Sequence, residues 1–177
     1  MEFVTIFGSG KESESKKWQK EAKKLGKLLA KNGFGVITGA GHGIMKAANK
    51  GAFKVNGVSI GYDMDLFTLE DKNEFFTHLE VFSDLGVRKA KLIKESSFFV
   101  VFPGGFGTLD ELSEILELNE VKLINSKIIL FDSDFWGEFL AFLKHKMIKN
   151  GLIDNLQNIS ICNSAKSVIK EILAKKS

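Results

Sequence analysis

Short apolar runs alternate along the chain with longer stretches in which apolar residues recur every third or fourth position. The runs Phe3–Phe7, Phe34–Thr38, Gly57–Tyr62, His78–Phe82, 97–102, Lys127–Phe131 and Ile159–Cys162 read as strands. Helical spacing fills the gaps between them, over Ser15–Lys31, Ile44–Phe53, Leu85–Glu95, 107–121, Asp134–Lys149 and Ala165–Lys175. In the first helix Trp18, Ala22, Leu25, Leu28 and Leu29 share one face, and Asn32-Gly33 ends it. Met45, Ala48 and Ala52 are expected to point inward from the second. Asp63 to Asn73 is polar and irregular, and reads as the longest loop. Strands that are apolar throughout and alternate with helices predict a parallel sheet covered on both faces. With 177 residues and no linker-like tract or repeat, one domain over 1–177 is expected.

The punctuation of this pattern is where chemistry enters. Gly8-Ser9-Gly10, Gly39-Ala40-Gly41-His42-Gly43 and Gly104-Gly105-Phe106-Gly107 each follow a strand. In a parallel sheet all three turns fall at the carboxyl edge, where such folds bind ligands. The third turn follows the chain's one proline, Pro103, and opens a helix. Glycines there allow a ligand to approach the backbone, and the first N–H groups of the helix favour an anion. A phosphate is the natural guest. Thr108 and Glu111 fit that reading, but they also fit T-x-x-E, a capping box in which Glu111 is only a helix start signal.

Other motifs fail. The 39–44 stretch begins like G-x-G-x-x-G, yet its third glycine falls on Ile44, although Asp63 lies near the expected ribose-binding acid. There is no G-x-x-x-x-G-K-[ST], and no serine in a G-x-S-x-G setting. His42, His78 and His145 are scattered and Cys162 is alone, so no metal site is expected. His42 reads equally as a ligand contact or a solvent-facing turn residue, and His78 as structural.

Composition adds little and excludes something. The 16 phenylalanines supply core. A single cysteine and an apolar strand directly after Met1 fit a cytoplasmic protein, and no run approaches a membrane span. Net charge is +3. The lysines of Lys16–Lys31 and Lys166–Lys176 sit at helical spacing without interleaved aromatics, and read as solvated faces, not a nucleic-acid surface.

Pro103-Gly104-Gly105-Phe106-Gly107-Thr108-Leu109-Asp110-Glu111 resembles the hallmark P-G-G-x-G-T-x-x-E of the LOG (Lonely Guy) family, and Arg88-Lys89 matches its upstream Arg-Lys pair. The glycine turns at 8–10 and 39–45 and the segment Asp132–Gly151 extend the resemblance over nearly the whole chain. It implies a Rossmann-like, doubly wound α/β homodimer that cleaves the N-glycosidic bond of a nucleoside 5′-monophosphate, releasing base and ribose 5-phosphate without metal or organic cofactor. By the same resemblance Arg88 and Glu111 are the catalytic pair. Gly8, Ser9, Gly41, Glu70, Lys89, Gly104, Gly105, Phe106, Gly107 and Thr108 are implied substrate contacts. Gly86-Val87 stands where plant-type members have H-E, Glu117 where many have Thr, and the 39–43 turn lacks three consecutive glycines. These departures bear on the base that is recognised. A carrier that binds a nucleotide or cofactor without chemistry is the alternative. An amino-acid decarboxylase, which the family's common label suggests, would need pyridoxal phosphate on a lysine that no motif singles out.

Overall fold

The computed structural model describes residues 1–12, 16–65 and 73–175. Seven strands form one all-parallel sheet: β1 (Phe3–Phe7), β2 (Gly35–Thr38), β3 (Ser59–Met64), β4 (His78–Phe82), β5 (Phe98–Val101), β6 (Lys127–Phe131) and β7 (Ile159–Cys162). Their order is β4-β3-β2-β1-β5-β6-β7, every neighbouring pair parallel. The direction of winding reverses at β1, which pairs with β2 on one side and with β5 on the other, Val4 facing Val36 and Phe98. The expected Rossmann-like doubly wound sheet is the fold observed.

Strand alternation sends side chains to two cores. Val4, Ile6, Val36, Phe98, Val100 and Ile129 meet three helices: α1 (Lys16–Lys31), α2 (Gly43–Phe53) and α6 (Ala165–Ala174). Ile37, Ile60, Tyr62, Phe99, Val101, Ile128 and Leu130 face the other three, α3 (Leu85–Lys94), α4 (Phe106–Glu120) and α5 (Ser133–Phe142). Both faces of the central strands are therefore dry, which is why their sequence is apolar throughout.

Within these elements the sequence reading needs small corrections. The third strand begins two residues later than expected and runs on to Met64, so Asp63 is a strand residue. Ile44, not Met45, is the fully buried residue at the start of α2, and Met45 lies over the glycine turn instead. The helix expected over Asp134–Lys149 is two pieces, α5 and a π-helical turn at Leu143–Ile148. α1 and α2 cross with glycine at the contact: a Cβ at Gly26 would come 2.1 Å from the Ala48 carbonyl oxygen, and one at Gly51 2.0 Å from that of Lys23. Any side chain there forces the helices apart.

Two polar contacts fix the elements that carry the site. Thr5 Oγ1 donates to the Leu92 carbonyl at 2.9 Å, tying α3 to the central strand. Beneath the second glycine turn, buried Asn49 accepts from Thr38 Oγ1 at 2.6 Å and from Asn73 Nδ2 at 3.0 Å, and donates to Ser59 Oγ at 2.9 Å. Satisfied in this way, a buried amide sets the geometry of its neighbours instead of costing stability. Thr38 Oγ1 in turn accepts from the N–H of Ala40, which has φ +61°.

Candidate active site

The three glycine turns meet at the carboxyl edge, where the winding reverses. Past β1 the N–H of Ser9 donates to the Pro103 carbonyl at 3.0 Å, so the first turn stays paired with the third. The Ile44 N–H donates to the Ser9 carbonyl at 3.0 Å and joins the second turn to the first. Glycine is required by crowding at Gly8, whose Cβ would sit 2.9 Å from Ile44 and Phe102 side-chain atoms. At Gly43 it is required by φ +57° and by the Ser9 carbonyl oxygen, 2.4 Å from a built Cβ.

Arg88 reaches this meeting point from α3, whose start is capped by Asp84 accepting from the Val87 N–H at 2.8 Å. Its Nε donates to the Tyr62 carbonyl at 2.6 Å, and its Nη2 to the Gly39 carbonyl at 2.9 Å. The guanidinium thus bridges the ends of β2 and β3. It also explains Gly39, because a Cβ there would lie 2.2 Å from Nη2. Burial lowers the pKa of Arg88, and the carboxylates of Glu111 and Asp63 oppose that shift. An arginine so placed stays charged.

α4 supplies the remaining pieces. Its N-cap is Gly105, with no side-chain cap, and Thr108 lies inside the first turn, buried. The capping-box reading of Thr108 and Glu111 is therefore wrong: the helix begins at Phe106, and Glu111 is a turn and a half in. The Thr108 side chain packs instead on Gly104, where a Cβ would come 2.1 Å from its Oγ1. Gly105 and Gly107 differ from their neighbours. Among the described residues, a Cβ on either would meet no atom within 4 Å beyond its chain neighbours and its own helix backbone, and neither has a positive φ. The packing of the described residues does not require glycine at these two positions. Both flank the first N–H groups of α4, which have no intrahelical acceptor.

Among the described residues, the half-buried carboxyl of Glu111 accepts no hydrogen bond and forms no ion pair. Burial pushes it up to about 7, with Arg88 pulling down, Asp110 pushing up and Lys89 pulling down. The charged partner that would hold it ionised is the same guanidinium that ties down β2 and β3. Such an acid, poised near neutrality beside a fixed cation and a helix N-terminus, suits chemistry in which positive charge develops nearby.

A family model described as possible lysine decarboxylase matches residues 45–172. The chain belongs to that family. Curated proteins similar to it include cytokinin riboside 5′-monophosphate phosphoribohydrolases. The cytokinin riboside 5′-monophosphate phosphoribohydrolase of Rhodococcoides fascians is 24% identical over 96% of this chain and 88% of its own length. A probable cytokinin riboside 5′-monophosphate phosphoribohydrolase of Oryza sativa subsp. japonica is 28% identical over 85% of this chain, which spans 62% of that protein. Among solved structures, the molybdenum cofactor binding protein of Rippkaea orientalis has a TM-score of 0.78 at 22% identity, covering 99% of this chain and 98% of that one. That likeness is one of fold.

Set against the LOG motif, the structure gathers Gly8, Ser9, Gly41, Arg88, Gly104, Gly105, Phe106, Gly107, Thr108 and Glu111 at one edge. Ser9 Oγ accepts from the Lys11 N–H at 3.1 Å, and Gly41 sits under the Met45 thioether. Phe106 projects outward and is 91% exposed, so not every phenylalanine fills the core. Lys89 is turned to the outer face of α4, 2.9 Å from Asp110 and 2.8 Å from Glu114, whose hydrogen bonds raise its pKa. Glu70 lies outside the described residues. His42, the N-cap of α2, faces Glu12 at 3.4 Å. The carbonyls of Gly39 and Tyr62 are the parts that sequence reasoning missed, since backbone acceptors leave no residue signal. No helix among the described residues is long and apolar enough to cross a membrane.

Proposed function

We propose that the protein is a nucleoside 5′-monophosphate phosphoribohydrolase, splitting AMP or a cytokinin riboside 5′-monophosphate into free base and ribose 5-phosphate. The observation that carries this reading is the carboxyl of Glu111, unpartnered among the described residues, beside Arg88 and a turn and a half into α4. In this scheme the 5′-phosphate lies on the N–H groups at Gly105–Thr108, where two glycines leave the backbone open to it. The turns at Gly8-Ser9 and Gly41 complete the cradle, with Glu70 as a further contact; Lys89 reaches the substrate only on leaving Asp110 and Glu114. Glu111, ionised, stabilises the cationic sugar as the C1′–N bond breaks and orients the attacking water. The water oxygen bonds C1′, and its proton leaves with the base. Arg88 keeps Glu111 charged and holds the edge of the site in place. No metal or organic cofactor takes part.

Curated relatives with this activity name support the reading, and so does the complete P-G-G-x-G-T-x-x-E motif. Phe106, with exposed Val87 and Leu85 on α3, suits the homodimer that the resemblance implies. The test is direct: incubate the pure protein with AMP and other nucleoside monophosphates and assay free base. Activity in the wild type, lost in folded Glu111→Ala and Arg88→Ala, is the expected result. Base release from none of them would end the enzyme reading.

One observation favours a second reading, a carrier that binds without chemistry. At a pKa of about 7, Glu111 is partly protonated at neutral pH, as suits an acid that donates a hydrogen bond to a ligand. The fold shared with a molybdenum cofactor binding protein is consistent with it. Thermal stabilisation by nucleotide without base release would select this alternative.

A further inference from the structure

The charge of the chain is segregated, and the separation has no counterpart in the proposed reaction. Residues 16–54 hold ten lysines and one acid, Glu21, a net +9; the whole chain is +3, so the remainder is −6. Six of these lysines, Lys20, Lys23, Lys24, Lys27, Lys50 and Lys54, line a single groove of about 390 Å³ between α1 and α2, floored by Gly51 and Val55. Glu21 does not neutralise it. One of its oxygens accepts from the Ala165 N–H at 2.7 Å, and the other meets Lys24 at 3.5 Å. Lys20, Lys23, Lys27 and Lys54 have no carboxylate within ion-pair distance among the described residues.

An ordinary solvated helix face mixes signs, because like charges three and four positions apart weaken a helix. α1 places Lys20, Lys23, Lys24 and Lys27 at just those spacings. The close crossing at Gly26 and Gly51 then brings the lysines of α2 against them. Like charges concentrated in a concave, low-dielectric wall focus the field and draw in counter-ions.

We propose that this groove binds a linear phosphate polyanion of the inorganic polyphosphate type. A cleft lined by lysines from both helices suits a flexible charged strand that can follow it, more than a flat bilayer or a stiff duplex. Lysine is a compact point charge that suits bare phosphate. Single-stranded nucleic acid is bound through aromatic stacking, and no aromatic ring lines the groove. Phe75, outside the lining, is covered by the Lys50 ammonium at 4.7 Å. The groove is also remote from Glu111. α1 and α2 both start at the carboxyl edge and run back, so Lys27, Lys50 and Lys54 lie towards the opposite edge of the sheet.

The test uses the full chain and medium-chain inorganic polyphosphate, with binding read by competition against a fluorescent polyphosphate. Wild type is expected to bind, more weakly as salt rises. The quadruple variant Lys23→Gln, Lys27→Gln, Lys50→Gln, Lys54→Gln should bind about tenfold more weakly or worse. Polyphosphate should also raise the melting temperature of the wild type and not of the variant. The variant removes repulsion, so its own melting temperature should not fall. No binding at low salt overturns the proposal, as does undiminished binding by the variant. Equal or tighter binding of oligothymidylate with matched phosphate number overturns it in favour of single-stranded nucleic acid. Retention on phosphatidylserine vesicles without affinity for polyphosphate overturns it in favour of a membrane surface.

Discussion

Two acids stand at the carboxyl edge of the same sheet, each at the start of the helix that follows its strand, and they have opposite fates. Asp132, after β6, is the N-cap of α5: its Oδ1 accepts from the Asp134 N–H at 3.0 Å, and its Oδ2 from Trp18 Nε1 at 2.6 Å. The Lys17 ammonium adds an ion pair at 3.0 Å. Burial pushes its pKa up, but the bonds from Trp18 and Lys17 outweigh that and hold it below the usual aspartate value. Glu111, after β5, has no such partners among the described residues, and burial raises it to about 7. Both oxygens of Asp132 are consumed in joining α1, β6 and α5, at φ +85°, which a side chain tolerates only under constraint. The lesson is that burial near a helix start does not make an acid reactive. The absence of local donors does, because it leaves the carboxyl to whatever is bound.

The sharpest way to break this contrast is to neutralise each acid in turn. Glu111→Gln should lower base release from AMP by ~100- to 10,000-fold while the protein stays folded, as a steady-state assay would show. Turnover within a factor of a few of wild type would make the two acids equivalent. Asp132→Ala should do the reverse: activity per folded molecule is kept, and stability falls by about 2–3 kcal/mol through the lost cap and the orphaned indole N–H. Denaturant melts would measure it. Asp132→Gly should cost less, since it relieves the positive φ that Ala does not.

The pH dependence separates the pair next. The folded chain holds the Glu111 proton more tightly than the unfolded one, so this group favours folding at low pH. That contribution is lost as pH rises from its ordinary 4.5 through about 7. Glu111→Gln should therefore be more stable to denaturant than wild type at pH 8, by on the order of 1–3 kcal/mol, and not at pH 4.5. The difference at Asp132 has the opposite sign, since its depressed pKa makes its contribution fall away in acid. The smallest effect expected is kinetic: the rate of base release should climb with pH along a limb centred near 7, and a flat profile would mean that ionised Glu111 is not the working form.

Much of this was legible in the sequence. Apolar runs such as 97–102 announce a strand buried on both faces, and the alternation with helical spacing leaves little besides a parallel sheet. That the glycine turns share one edge was legible too, because each follows a strand of a parallel sheet, whereas Arg88 and Glu111 were singled out only by the resemblance to the LOG motif. Other parts were hidden for physical reasons. The role of Thr108 stayed open in the sequence because Gly105 caps the helix through backbone alone, while Thr108 looks like a cap and is in fact packed on Gly104. The Asn49 network leaves only isolated polar residues in apolar surroundings, with nothing to say that they meet. Trp18 reads as one more apolar position of α1, and only the fold reveals that its indole N–H is bound to Asp132, far along the chain.

The central position of β1 carries a consequence for assembly. Strands β1 to β4 come from the first half of the chain and lie to one side of the sheet, while β5 to β7 come from the second half and lie to the other; strand pairing between the two sets occurs where Val4 to Phe7 meet Phe98 to Val101. Contacts so distant in sequence are entropically slow to form, and a chain leaving the ribosome offers its early strands first. The candidate site straddles that join, with Arg88 and the first two glycine turns on one bank and α4 on the other. A nascent or truncated chain holding only one bank has half a cradle and no Glu111 opposite it, so the site is assembled only once β5 has closed on β1.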